Sequence, residues 1–117
     1  MDIKMLTDYC LKKNGSTRSY PFGEGALVFK VASKMYALVA ESARPLTINL
    51  KCDPFIAENL RQQYASITPG YHMNKKHWNT VILDGSIEEE ELCSMIDHSY
   101  DLVFHSLKKA EKAELGG

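Results

Sequence analysis

Apolar and polar residues alternate strictly in the segment 46-LTINLKC-52. Its even-numbered positions are apolar and its odd-numbered positions are polar, so an extended chain would bury one face and expose the other. This alternation is typical of an antiparallel sheet with one packed face and one wet face. The segment therefore predicts a strand in a sheet that is covered on one side only.

Two preceding segments, 26–32 and 35–41, are short runs rich in branched and aromatic residues. The dipeptide Ser33-Lys34 between them fits a two-residue hairpin connection. Two further strands are predicted at about 67–73 and 77–83, on either side of a polar turn. Together with the alternating segment, these runs predict five strands.

Three helices complete the pattern. Residues 3–13 carry apolar side chains at three- and four-residue spacing and end at Asn14-Gly15, which favours a left-handed stop. Asp53-Pro54 opens a second helix, with aspartate as N-cap and proline in the first helical position. Ser86 with Glu89 forms a capping-box pattern that predicts the start of the third helix.

The element order is therefore α-β-β-β-α-β-β-α. It predicts an α+β fold, in which a five-stranded, mostly antiparallel sheet has its helices packed on one face. The length of 117 residues, with 44% apolar and 25% charged residues, fits a single globular domain over residues 1–117. The second face of the sheet would be open and available for binding.

The charge balance restricts how such a protein could bind nucleic acid. Fourteen lysines and arginines stand against fifteen aspartates and glutamates, for a formal net charge of -1. Many nucleic-acid-binding domains are strongly basic, because counterion release from phosphates supplies much of their affinity. Any binding of this kind must come from a local basic patch, with acidic residues kept elsewhere.

Cysteine usage and hydropathy predict a cytoplasmic location. Cys10, Cys52 and Cys93 are odd in number and widely spaced, which fits neither a disulfide framework nor a zinc knuckle. The N-terminal segment lacks the pattern of a signal peptide, and no apolar stretch approaches the roughly 18 residues of a membrane span. A soluble protein that does not engage membranes is expected.

Catalytic and metal-binding patterns are weak throughout the chain. His98, Asp101 and His105 share one helical face, but three or four convergent ligands or a tight H-E-x-x-H pair are missing. The serines lack a G-x-S-x-G elbow, and no cysteine lies near a histidine in sequence. No enzymatic activity, metal or cofactor is expected. An acid–base role for His72 or His77 remains an alternative that would need a pocket around the imidazole.

The segment 68-TPGYHMNKKHWNTVILDG-85 concentrates basic, amide and aromatic side chains. Lysine and arginine contact phosphates, while asparagine and histidine can reach base edges in a groove. Lys75 and Lys76 would mark the hairpin tip, and Lys34 a second projecting point. Asparagine and lysine are also common in exposed turns, so a solvated turn explains the same residues. Further positive potential could come from Lys51, Arg44 and Arg61.

Trp78, the only tryptophan, has two interpretations. It lies in phase with Thr80 and Ile82 on a predicted strand, which suits a core position. On the open face of the sheet, the same side chain would suggest stacking against a ligand. The sequence pattern is compatible with Trp78 on either face of the sheet.

These residues carry a resemblance to a known family. The segment from Pro69 to Thr80, PGYHMNKKHWNT, and the upstream Tyr20-Pro21-Phe22-Gly23 followed by LVFKV, resemble the MmcQ/YjbR family of small bacterial proteins over about residues 2–110. The resemblance implies a CyaY-like α/β fold, a two-layer helix–sheet sandwich with a "double wing" arrangement and a DNA-binding role. The wings would be the hairpins that turn near Ser33-Lys34 and near Asn74–Lys76.

The resulting hypothesis is a cytoplasmic, non-enzymatic protein that binds duplex DNA through the tips of two β-hairpins. An alternative is a module that binds a protein or a small ligand on the open sheet face, around Tyr71, His72 and Trp78. Phosphate contacts are expected from Lys34, Arg44, Lys75 and Lys76, and groove contacts from Tyr71, His72, Asn74 and His77.

Overall fold

Six strands form one antiparallel sheet in the computed structural model, which describes residues 1–70 and 73–116. The strands are β1 (Ser16–Ser19), β2 (Ala26–Val31), β3 (Lys34–Ala40), β4 (Thr47–Lys51), β5 (Ile67–Pro69) and β6 (Trp78–Ile82). Their order across the sheet is β1-β2-β3-β4-β6-β5, so β6 lies between β4 and β5.

The prediction of five strands omitted β1. This strand, with the sequence STRS, contains no apolar residue and so has no alternation to find. It forms an edge of the sheet by backbone pairing with β2, in a register that places Ser16 opposite Val31. The five predicted strands are all present, although β5 covers Ile67–Pro69 only, and residues 71–72 of its predicted range 67–73 lie outside the described residues.

The helices are α1 (Ile3–Leu11), α2 (Pro54–Gln63), α3 (Glu89–His105) and α4 (Lys109–Glu114). The predicted N-cap of α2 is confirmed, because the carboxylate of Asp53 accepts from the backbone amides of the first helical turn. The short α4 was not predicted. It begins at Lys109, two residues beyond Leu107, the last apolar residue of the predicted third helix.

The predicted capping box at Ser86 is wrong. The N-cap of α3 is Glu88, which makes no side-chain capping bond. The hydroxyl of Ser86 instead lies 2.6 Å from the carboxylate of Asp84 and 2.9 Å from the hydroxyl of Ser66. Local turn contacts therefore compete successfully with the cap.

The hydrophobic core lies between one face of the sheet, called the inner face, and the helices α1 and α3. Helix α2 lies on the same side, where the carbonyl of Ala57 accepts from the side-chain amide of Asn79. The core combines residues from six elements of the chain: Leu6, Cys10, Leu27, Phe29, Val39, Ile48, Leu50, Val81, Leu92, Ile96, Tyr100 and Val103. The alternation predicted for β4 is confirmed, since Ile48 and Leu50 are buried in this core.

The opposite face of the sheet, called the outer face, carries three rows of side chains that the strand register defines. Trp78 lies on this face in register with Lys51 and is half-buried, so it belongs to the open face and not to the core. The top row is Ala26, Ala40, Thr47 and Ile82, and the middle row is Val28, Leu38, Asn49 and Thr80. Below them lie two register pairs, Lys30 with Met35 and Lys51 with Trp78, which together are called the lower row.

Candidate functional site

The sheet has two distinct ends, because its strands are antiparallel and in close register. One end, called the tip end, carries the β2–β3 turn at 32–33, the segment 52–53 after β4, and the β5–β6 connection at 70–77. The opposite end carries the connections 20–25, 41–46 and 83–88. Both predicted hairpin tips therefore lie at the same end of the molecule.

Charge is separated between these two ends. At the tip end, Lys34, Lys75 and Lys76 are exposed, and Lys30 and Lys51 lie half-exposed in the lower row of the outer face. Two carboxylate side chains, Asp53 and Glu111, also lie at this end; Asp53 caps α2, and Glu111 accepts from the hydroxyl of Ser33. Acidic side chains concentrate at the opposite end: Glu24, Glu41, Asp84, Glu88, Glu89 and Glu90.

The β5–β6 connection is held by its own backbone and by asparagine. The amide of Gly70 donates to the carbonyl of Trp78 at 2.8 Å, which closes the base of the connection. Near the tip, the carbonyl of Asn74 accepts from the amides of His77 and Trp78, while its side-chain oxygen accepts from the amide of Lys76 at 3.0 Å. The tip is thus an ordered turn. The predicted site residues Tyr71 and His72 lie outside the described residues.

Arg61 of α2 fastens this connection to the rest of the molecule. Its Nε donates to the side-chain oxygen of the buried Asn79 at 2.7 Å. Its Nη2 donates to the backbone carbonyl of Lys75, and also to that of Trp78 at 3.3 Å. The sequence suggested only that Arg61 adds positive potential. The structure shows that its guanidinium positions the lysine-bearing turn.

The first hairpin turns one residue earlier than predicted, at Ala32-Ser33, and its tip is braced by the C-terminal helices. Lys34 Nζ lies 3.3 Å from both the carbonyl and the hydroxyl of Ser106. The hydroxyl of Ser33 donates to the carboxylate of Glu111 at 3.1 Å. Lys34 is therefore at the tip end but rests on the end of α3 rather than projecting freely.

Arg44 lies far from the other predicted phosphate contacts. It belongs to the connection 41–46 at the opposite end of the sheet, and its Nη1 donates to the carbonyls of Glu41 and Ala43, each at 2.7 Å. Arg44 and the lysine pair Lys75 and Lys76 therefore lie at opposite ends of the sheet. The guanidinium of Arg44 instead closes a local turn beside acidic residues.

His77 stands at the point where the tip connection returns to the sheet. Its side chain is half-buried, and its backbone carbonyl accepts from the amide of Cys52 at 2.8 Å. The residue therefore ties the start of β6 to the end of β4. Among the predicted groove residues, Asn74 is exposed and His77 is partly accessible at the tip end.

A groove with a volume of about 470 Å³ lies on the outer face. Phe22, from the connection at the opposite end, forms one wall, and Met73, from the tip connection, forms another. Its floor consists of residues from the top row and the middle row: Ala26, Leu38, Ala40, Thr47, Asn49 and Thr80. The sequence missed this groove because Phe22 and Met73 are 51 positions apart in the printed chain.

A second, smaller cavity of about 230 Å³ lies on the inner side, between α2, α3 and the sheet. Cys52 and His98 both line it. Burial raises the pKa of the Cys52 thiol to about 11, so the thiol stays protonated and is a poor nucleophile at neutral pH. Nε2 of His98 lies 3.1 Å from the backbone amide of Asp53 and accepts from it. The two groups are not arranged as an activated nucleophile and its base.

His105, which shares a helical face with His98, also makes a local hydrogen bond. His105 Nδ1 lies 2.7 Å from the carbonyl of Asp101. Within residues 1–70 and 73–116, no three histidine, cysteine, aspartate or glutamate side chains converge as a metal site would require. In the same part of the chain, no helix is long and apolar enough to cross a membrane.

The chain is similar to several known proteins over most of its length. It is 35% identical to the uncharacterised protein YjbR of Escherichia coli K12 over 112 residues, which cover 96% of this chain and 95% of that protein. It is 42% identical to the uncharacterised protein YbdF of Escherichia coli O157:H7 over 93 residues, which cover 80% of this chain and 76% of that protein.

Solved structures share the fold of this chain and resemble it in sequence. The crystal structure of Deinococcus radiodurans protein DR2400 matches with a TM-score of 0.92 and 45% identity, over 98% of this chain and 88% of that one. A crystal structure of a Pseudomonas syringae protein matches with a TM-score of 0.76 and 32% identity, over 88% of this chain and 99% of that one. The family model named YjbR matches residues 11–102, which include every element from β1 to β6 and most of α3. The chain therefore belongs to the YjbR family.

Proposed function

We propose that this protein binds duplex DNA through the tip end and performs no chemistry on it. The observation that supports this best is the separation of charge along the sheet. A net charge of -1 would give little general attraction to a polyanion, but the exposed Lys34, Lys75 and Lys76 share one end, while most of the exposed glutamates of the sheet connections lie at the other. Phosphate contacts depend on the local charge that faces the DNA, and the lysines at the tip end supply the local basic patch that a nearly neutral protein needs for such contacts.

The spacing of the two hairpin tips suits a DNA groove. The β2–β3 turn and the β5–β6 connection are separated by three interstrand steps in the sheet order. At about 4.8 Å a step, this separation is about 14 Å. The major groove of B-DNA is about 12 Å wide. Lys34 at one tip and Lys75 with Lys76 at the other would then contact phosphates on either side of a groove.

Hydrogen bonds to the rest of the molecule hold the described residues of both tips without any ligand. Arg61 and the Asn74 turn hold the second tip, while Ser106 and Glu111 brace the first. Preorganised groups lose less conformational entropy on binding, which favours affinity from a small number of contacts. Asn74 and His77, together with Tyr71 and His72 of the same connection, would supply the groove contacts in this proposal.

The proposal keeps the CyaY-like, double-wing description that the sequence resemblance implies, with the two hairpins as wings. It also keeps the expectation that the protein is cytoplasmic, because duplex DNA is accessible in the cytoplasm of bacteria. Arg44 is dropped from the phosphate contacts, since it lies at the acidic end of the sheet.

A charge-reversal experiment tests the proposal. Lys75→Glu with Lys76→Glu should abolish retardation of a duplex oligonucleotide at low salt. Lys4→Glu with Arg44→Glu is the matched control, because it changes the net charge equally but leaves the tip end intact. The control should retain binding of the wild-type strength.

Salt titration supplies the second readout. The logarithm of the wild-type association constant should fall linearly with the logarithm of salt concentration, with a slope of about -0.9 per phosphate contact. The tip variant should lose that slope. Equal loss of binding in the tip and control variants, or wild-type binding without any salt dependence, contradicts the proposal.

A further inference from the structure

We propose that the outer-face groove binds a small planar aromatic anion. The groove is bounded by Phe22 and Met73, and its floor is formed by residues of the top and middle rows of the outer face. Its volume of about 470 Å³ lies within the range of small-molecule sites, about 300 to 1,000 Å³. The proposal does not depend on DNA binding, since the groove lies on the sheet face and not at the hairpin tips.

One half of the groove is apolar and suits an aromatic ring. Its floor on β2 and β3 consists of Ala26, Leu38 and Ala40, whose small or aliphatic side chains leave a shallow, flat surface. Phe22 stands beside this surface and is 68% exposed, so most of its ring has no protein partner. A planar ligand would cover the phenyl ring and contact the sulfur-bearing side chain of Met73.

The other half of the groove is polar and offers an oriented hydrogen-bond donor. Asn49 and Thr80 lie opposite each other on β4 and β6, and the Thr80 hydroxyl donates to Asn49 Oδ1 at 2.5 Å. Because the oxygen accepts from Thr80, the amide nitrogen of Asn49, which lines the groove, is the donor of this side chain that is available to a ligand. Among the described residues this nitrogen has no acceptor. The pair would therefore recognise a carbonyl, ring nitrogen or carboxylate on the ligand.

Positive charge adjoins the groove along its lower edge. Lys30 and Lys51 occupy the row next to Asn49 on the outer face. Within residues 1–70 and 73–116, the carboxylate ion pairs are Lys4 with Asp8 and Lys13 with Asp97, so both lower-row lysines lack a carboxylate partner there. An anionic group attached to the bound ring would complement this charge.

Fluorescent probes test the proposal directly. The aromatic sulfonate 1-anilinonaphthalene-8-sulfonate should bind the folded protein with 1:1 stoichiometry and quench Trp78, which lies at the lower edge of the groove. Its uncharged analogue N-phenyl-1-naphthylamine should bind more weakly. Lys51→Met should weaken the sulfonate up to about fivefold, as expected for a partly exposed charge pair, and leave the uncharged probe unchanged.

The apolar wall has a matched control in the chain. Phe22→Ala should weaken the sulfonate about tenfold, the loss of one ring contact at about 1.4 kcal/mol. Phe55→Ala removes a ring that is similarly exposed, at 74%, but lies on α2 away from the groove, and should have no effect. Both residues are exposed, so both variants should fold. Equal effects of the two variants, or equal affinity for the charged and uncharged probes, would overturn the proposal.

The same ring-plus-anion chemistry occurs in free metabolites and in nucleotides of a strand. Adenosine 5′-monophosphate and a single-stranded oligodeoxyadenylate should be compared as competitors of the sulfonate probe. Displacement by both, unchanged in Lys75→Glu with Lys76→Glu, supports a free ligand. Displacement only by the oligonucleotide, weakened in that variant, supports a nucleotide in a strand. Failure of Asn49→Leu to affect displacement by either competitor contradicts the site.

Discussion

Arg61 donates to the side-chain oxygen of Asn79 at 2.7 Å, across the contact between α2 and the inner face of the sheet. Asn79 is 2% exposed, so this bond satisfies a buried acceptor. The same guanidinium reaches the carbonyl of Lys75 in the tip connection. One side chain therefore links a polar group in the interior to the position of an exposed lysine pair.

Replacing Arg61 with alanine should destabilise the fold by about 1–3 kcal/mol, because Asn79 Oδ1 would remain buried without a donor. Urea unfolding measures the loss. Arg44→Ala is the comparison, since its carbonyl partners are at the surface, and should cost about 0.5 kcal/mol or less. Equal costs for the two variants would show that the buried contact is not what stabilises this region.

Ser99→Ala should destabilise the protein by about 1–3 kcal/mol. The sheet register shifts between Phe29 and Lys30, and Tyr36 has no partner across that irregularity. The fully buried hydroxyl of Ser99 donates to the carbonyl of Tyr36 at 2.6 Å and accepts from the amide of Lys51 at 2.9 Å. The alanine would leave both backbone groups without partners.

Amide hydrogen exchange should be measured on the Ser99 variant alongside its denaturation. We expect the amide of Lys51 to lose its protection from exchange. Ser94→Ala, an exposed site on the same helix, provides the control for helix propensity and should leave both measurements unchanged. Wild-type exchange at Lys51 in the Ser99 variant would contradict the bridging role.

Gly70→Ala should destabilise the protein by about 1–3 kcal/mol and shift the emission of Trp78. An added Cβ would lie 2.8 Å from the Trp78 Cβ and 3.1 Å from its carbonyl oxygen, so the tip connection must move away from β6. At Gly85 the added Cβ meets nothing within 4 Å, and the cost of Gly85→Ala is only its left-handed backbone. Unchanged tryptophan emission in Gly70→Ala would refute the close approach.

Stability should decrease with rising pH above about 9, the ordinary value for a thiol. Burial raises the pKa of Cys52 to about 11 and that of Cys10 to about 11, so both folded thiols hold their protons where unfolded thiols lose them. Their contribution is fully present below pH 9 and is lost as the pH rises toward 11. Urea midpoints between pH 8 and 10.5 measure the decline, which Cys52→Ser should make shallower. Parallel declines in the variant and the wild type would contradict this origin.

The sheet was predictable wherever burial imposed a period on the sequence. The alternation in β4 identified its strand and its buried face, because Ile48 and Leu50 must pack while Asn49 remains at the surface. Strand β1 gave no such signal, since a polar edge strand is specified by backbone pairing alone. The predicted capping box at the start of α3 was wrong for a related reason, because the Ser86 hydroxyl bonds to Asp84 in its own turn.

The candidate sites were predictable only in part. Lys75 and Lys76 could be identified from local composition, since a turn concentrates its residues in sequence. The exclusion of Arg44 and the bracing of Lys34 depend on which end of the sheet each connection occupies. The groove between Phe22 and Met73 depends on two connections meeting over one face. Long-range topology sets these relationships, and no single stretch of sequence contains them.

The concentration of Lys34, Lys75 and Lys76 at one end of the sheet and of glutamates at the other gives this nearly neutral chain an electric dipole. In the field of a polyanion such a molecule experiences a torque before it experiences much net attraction. It would arrive with its lysine end leading, so fewer encounters would be wasted on unproductive orientations. The association rate, more than the final affinity, is where a chain of charge -1 gains from this arrangement.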